Sequence, residues 1–136
     1  MHICEQICLE RRAGKTIFGI YRGKQILTRK ERFRILHLDD PSEWESELEF
    51  NEAISYLEQA ISIHLYSNRE LMSKEGAKKY ALAFLKSVPE DSKFYTNCYY
   101  GNSPEPLSNS YIDTGIYCVK NNGIAGILWV LDELER

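Results

Sequence analysis

Two β-branched and aromatic runs, Tyr111 to Lys120 and Ile124 to Val130, are separated only by Asn121-Asn122-Gly123. Asn and Gly accept the positive φ that a tight hairpin demands, so these residues predict two antiparallel strands joined by a short turn. No other feature constrains the fold as much. At 136 residues the chain has room for one domain with a real core and is short for two.

The rest of the chain is read around that hairpin. Residues 2–9 offer a poorly alternating strand, and Thr16 to Tyr21 runs through Arg22-Gly23-Lys24 into Gln25 to Thr28, which predicts an N-terminal hairpin. Phe33 to Leu38 reads as a further strand closed by Asp39-Asp40-Pro41. From Ser42 to Phe50 the alternation is nearly perfect: Trp44, Ser46, Leu48 and Phe50 share one face while Glu43, Glu45, Glu47 and Glu49 share the other. Asn51 is a predicted N-cap for a helix carrying Ile54, Leu57, Ile61 and Leu65, whose end also alternates like a strand. A second helix is capped by Ser73, bears the stripe Ala77, Tyr80, Ala81, Phe84, Leu85 and Val88, and stops at Pro89. Lys93 to Tyr100 reads as an aromatic strand and residues 101–106 as a loop. The expected fold is therefore a single α+β domain, an antiparallel sheet packed against about two helices.

Hydrophobic residues at 43% and charged residues at 27%, with only 8 Gly and 4 Pro, disfavour disorder and low-complexity classes. No run of about 18 apolar residues is present, so no membrane-spanning helix is expected. Glu5 and Gln6 interrupt the apolar stretch a secretory signal would need, which points to a cytoplasmic address and to four free thiols.

Catalytic signatures are sparse. The linear motifs of P-loop and dinucleotide-binding proteins, of serine hydrolases and of zinc proteases are all missing. His2, Cys4 and Cys8 are the best candidate metal ligands, but without a C-x-x-C spacing the cysteines read as apolar filler. His37 and His64 sit in apolar contexts that suit packed or surface imidazoles. The expectation is a protein with no catalytic residue, no metal and no cofactor.

Charge is strongly segregated. Between Glu10 and Arg34 nine basic residues face two acidic ones, whereas from Asp39 to Asn68 there are eight acidic residues and no Lys or Arg. The basic stretch could track a phosphate backbone, or be neutralised by the acidic stretch lying against it. The acidic stretch, in turn, could steer a basic partner. Trp44, set among the glutamates, suits either the core or the centre of an interface.

The C-terminal third, residues 80–136, adds a family resemblance. Phe84-Leu85 and Val88-Pro89 close a helix, Ser110 to Ile116 contains Asp113-Thr114-Gly115, and Ile124-Ala125-Gly126-Ile127-Leu128-Trp129-Val130 runs into Asp132, Glu133 and Glu135. This pattern resembles bacterial immunity proteins, including the antidotes of contact-dependent growth inhibition and related polymorphic toxins. The resemblance implies an antitoxin that binds a cognate toxin domain, a nuclease in the reading favoured here, and covers its active site or substrate groove. It carries no site residue over. The acidic stretch supplies the expected toxin-binding set: Asp39, Asp40, Glu43, Glu45, Glu47 and Glu49. The alternative is a nucleic-acid-binding accessory domain using the basic N-terminal hairpin. The sequence leaves the oligomeric state open.

Overall fold

The computed structural model describes residues 3–12, 14–21, 27–98 and 104–134. Its elements are α1 (Ile3–Arg11), β1 (Lys15–Ile20), α2 (Arg29–Ile35), β2 (Ser46–Leu48), α3 (Phe50–Ser62), α4 (Lys74–Ser87), β3 (Lys93–Thr96), β4 (Ile112–Lys120) and β5 (Gly123–Asp132). All five strands form one antiparallel sheet in the order β1-β5-β4-β3-β2. The architecture is α+β.

The expected C-terminal hairpin is present as β4 and β5. Asn121 and Asn122, at φ 50° and 62°, are the residues that take the left-handed backbone. β5 is buried along its whole length because it is flanked by β1 and β4 and covered on both faces. Gly115 has its own reason to be glycine. A Cβ there would meet the Leu128 carbonyl oxygen at 2.1 Å and the Trp129 Cα at 2.8 Å, so β4 could not approach β5 so closely.

Period-two alternation divides the sheet's side chains between two layers. One face carries Ile116, Cys118 and Leu128 against α1, α3 and α4, which contribute Ile7, Leu57, Phe84 and Leu85. The Phe18 and Phe84 rings meet edge to face there at 5.6 Å. α4 matches its expected cap and stripe, with Ser73 Oγ accepting from Gly76 N at 3.0 Å and Lys74, Lys78, Lys79 and Lys86 left exposed. The opposite face carries Tyr117, Ile127 and Trp129 beneath Phe33, Leu38 and Leu107. A short helix and extended chain cover this face, and they build the surface described below.

Several expectations are corrected. The strand expected over residues 2–9 is replaced from residue 3 by a helix, Ile3–Arg11, in which Ile7 and Arg11, one turn apart, turn inward while Leu9 stays exposed. The expected N-terminal hairpin falls largely outside the described residues, which omit 22–26, its turn and the start of its second strand; of its described parts, β1 pairs with β5 and Thr28 bridges Gly123. Phe33 to Leu38 is not a strand, since Thr28 caps α2 through a reciprocal box with Glu31. Of the long strand expected over Ser42 to Phe50 only Ser46–Leu48 pairs; residues 42–44 turn, and Phe50 opens α3. The N-cap of α3 is Glu49 rather than Asn51, with Glu49 N donating to Glu52 Oε1 at 2.9 Å. The described residues hold four helices, α1 and α2 adding to the two expected.

Candidate binding surface

The chain leaves α2 through a reversal that sets everything after it. His37 N donates to Arg34 O at 3.1 Å and Leu38 N to Phe33 O at 2.9 Å, with His37 at φ 58°, the pattern of a Schellman cap. Leu38 then packs beside Phe33. Asp39 N donates to Leu107 O at 2.7 Å, tying the segment to the sheet's loop layer. Asp40 Oδ1 accepts from Ser42 N at 3.0 Å, and Trp44 N donates to Pro41 O at 3.0 Å, folding residues 40–44 into a turn before β2.

Arg29 is the hub of the surface. Its Nε donates to Asp40 Oδ1 at 2.9 Å, its Nη1 to Glu45 Oε1 at 2.9 Å, and its Nη2 to Glu45 Oε2 and to the Tyr117 hydroxyl. The guanidinium also lies against the rings of Tyr117 at 5.1 Å and Phe33 at 5.6 Å. Burial opposes its charge, but the hydrogen bonds to Glu45 and Asp40 and the neighbouring acidic groups raise its pKa above the ordinary value. Tyr117 donates its hydroxyl to Glu45; burial and this bond push the phenol well above its usual range. Tyr95 stacks on Tyr117 at 5.8 Å, and its hydroxyl donates to Glu47 Oε1 at 3.3 Å. Its pKa is raised by burial and by the carboxylates of Glu47 and Glu45.

The six acidic residues named from sequence therefore divide into two groups. Asp40 and Glu45 turn inward onto Arg29, whereas Asp39, Glu43, Glu47 and Glu49 are exposed. Among the described residues no basic side chain forms an ion pair with any of those four. The expected single row of glutamates is not formed, since only Glu47 lies within a paired strand. Trp44 is half-buried against the second-face cluster, a packed residue with one part still accessible. The spacing of the acids could not reveal Arg29, Tyr95 or Tyr117, because the sheet brings them together from three distant segments.

Of the described cations in the basic stretch, three are engaged within the fold. Arg11 is buried with Asp132, bridging to it at 2.6 and 2.8 Å and donating to Ile63 O at 2.9 Å. Arg32 lies over the Tyr21 ring at 3.6 Å, and Arg29 is engaged as described. The neutralisation weighed from the charge pattern thus holds for Arg29, whose partners come from the acidic stretch.

The residues that carry the family resemblance are structural here. Asp113, fully buried, accepts from Leu107 N at 2.8 Å, Ser108 N at 3.0 Å, Ser108 Oγ at 2.5 Å and Trp129 Nε1 at 2.9 Å. Thr114 Oγ1 donates to Asn97 Oδ1 at 2.7 Å and meets the Tyr56 hydroxyl at 2.5 Å. Of the candidate metal ligands, Cys8 is exposed on α1, and His2 and the Cys4 side chain lie outside what is described. Among the described residues no three His, Cys, Asp or Glu side chains gather where they could hold a metal ion. His64 is buried, its Nδ1 accepting from Tyr66 N and Ser67 N at 3.3 Å. No helix among the described residues is long and apolar enough to cross a membrane. No family model matches the chain, and neither the curated proteins nor the solved structures contain a match.

Proposed function

We propose that the chain is an immunity protein, acting without catalysis in the bacterial cytoplasm, that binds a cognate toxin domain through the face centred on β2 and β3. The observation that carries this reading is the surplus of exposed carboxylates around an aromatic floor. Glu43 and Glu47 remain unmatched by any described cation, beside the half-buried rings of Trp44 and Tyr95. Rigid aromatic side chains ringed by like charges suit a basic protein surface: the rings supply apolar contact and the carboxylates steer encounter. A nuclease groove is one such surface, since it is built to hold phosphates. The part-buried Arg29 cluster keeps Glu45 and the turn before β2 in a fixed place, so the exposed acids are presented from an ordered scaffold.

The test is growth rescue and pull-down with the toxic domain encoded beside this gene. The wild-type chain should rescue growth. Glu43→Lys/Glu47→Lys should fold normally, since exposed charges contribute little to stability, and should associate about tenfold more slowly. Full rescue at an unchanged association rate would remove this face from the interface, and failure of the wild-type chain to bind would overturn the antitoxin reading.

A further inference from the structure

We propose that the pocket between the end of α4, the start of α3 and β3 receives an uncharged apolar side chain of the toxin domain, anchoring the basic surface that the neighbouring carboxylates steer. The inference rests on the antitoxin reading and extends its interface around the β2 edge. The pocket encloses about 360 Å³, at the lower end of the range of about 300–1,000 Å³ usual for ligand pockets, which suits one large side chain.

Its walls are apolar and in part open to solvent. Leu85 and Val88 form a nearly buried floor, but Phe50 on the wall is 39% exposed, and Phe94 and Pro89 are half-buried. Phe50 holds the first position of α3, where a polar or acidic residue would serve the helix dipole, yet it presents an aromatic ring that leans on the ring of Phe94 at 6.0 Å. Covering that ring removes apolar surface from water, which is favourable. At the rim Lys86 and Glu90 carry opposite charges, so the pocket itself selects neither sign and its rings favour an uncharged group.

The path of the chain identifies the occupant. Residues 47–50 alternate in character: Glu47 and Glu49 are exposed carboxylates, while Leu48 sits opposite Phe94 in the β2–β3 register and Phe50 walls the pocket. Consecutive Cα atoms are about 3.8 Å apart, so a basic surface held by Glu47 and Glu49 lies within one residue of the pocket wall. The site is preformed. Ser92 N donates to Pro89 O at 3.0 Å, closing the turn that follows α4, and strand pairing holds Phe94 between Leu48 and Cys118. An apolar anchor seated in a ready pocket slows dissociation, whereas rim charges govern encounter, so the two features serve one interface in different ways.

The experiment measures association and dissociation rates of the full chain with the toxic domain encoded beside this gene, together with NMR amide shifts of the wild-type chain on forming the complex. Phe50→Ser should keep the wild-type thermal midpoint to within a few degrees and the wild-type association rate, yet dissociate about tenfold faster. Phe50→Leu, which retains an apolar wall, should dissociate at nearly the wild-type rate. In the wild-type complex the amides of Lys86, Glu90 and Phe94 should shift, a measurement that needs no variant to fold. Glu43→Lys/Glu47→Lys acts on association instead, so the pocket and the carboxylates are read separately. If Phe50→Ser folds and dissociates as slowly as the wild type, or if those amides stay unshifted, the pocket is overturned while the antitoxin reading stands. If the wild-type chain does not bind the domain, both fall. Shifts at the same amides on concentrating the chain alone would assign the pocket to a second copy and overturn the proposal.

Discussion

Replacing Asp113 by alanine would remove the acceptor on which the loop layer is organised. Four donors converge on this one carboxylate: the amides of Leu107 and Ser108, the Ser108 hydroxyl and the indole nitrogen of Trp129. Ser108 is half-exposed and can turn to water, but Leu107 and Trp129 are 1% and 0% exposed, so their N–H groups would have nowhere else to donate. Each orphaned buried donor costs about 1–3 kcal/mol, and partial relaxation at Ser108 brings the expected total to about 4 kcal/mol. That is a large share of the stability of a domain this size, about 5–15 kcal/mol. In urea the unfolding midpoint should fall by about 2 M, taking a slope of about 2 kcal/mol per M. Asp113→Asn should fall between, because one amide oxygen can still accept while the NH2 group faces other donors. A loss below about 1 kcal/mol for Asp113→Ala, measured by urea unfolding monitored through Trp fluorescence, would refute the account.

Gly115→Ala should destabilise by about 3 kcal/mol in the same assay, because the new methyl meets backbone atoms of Leu128 and Trp129 that cannot move aside. The Arg11–Asp132 pair sets an acid limb. Although burial works against the Asp132 charge, hydrogen bonds from Arg11 and Leu65 lower its pKa below the ordinary value. Its contribution is therefore present above the ordinary carboxylate range of about 4 and is lost as pH falls through the lower folded-state value. Arg11→Met should cost about 3–5 kcal/mol at neutral pH and flatten that limb in a pH series of unfolding midpoints. The Tyr80 phenol is pushed up to about 12, chiefly by its hydrogen bond to Glu10, so Glu10→Gln should bring its ultraviolet titration back toward the usual value of about 10.

The C-terminal hairpin and α4 were legible because each is specified locally. Asn121-Asn122-Gly123 dictates its turn, and Ser73, the apolar stripe and Pro89 mark both ends and one face of a helix. α2 was hidden by a misleading alternation in Phe33 to Leu38, yet Thr28-Arg29-Lys30-Glu31 carried the Thr-x-x-Glu signature of a helix start. The acidic segment misled for a different reason. Its period of two is genuine, but strand formation needs a neighbour along the whole length, and β3 offers only Phe94, Tyr95 and Thr96 to pair with it. The hub at Arg29 joins Asp40, Glu45 and Tyr117, which lie 11, 16 and 88 positions away in the chain, a relation that no spacing rule encodes.

The strand order also bears on how the protein comes into being. β1, made early, has its sheet partner in β5, and Arg11 has its carboxylate partner in Asp132, 121 residues later. During translation the amino-terminal strand has no native edge to join until the ribosome has delivered Gly123–Asp132. Helical segments such as α4 can form while the chain is still growing, and β2, β3 and β4 can pair in turn as they emerge, but β1 must wait for β5. Completion of the sheet must therefore follow synthesis of β5, and a nascent chain stalled before Gly123 leaves β4 with an open edge and β1 without its partner.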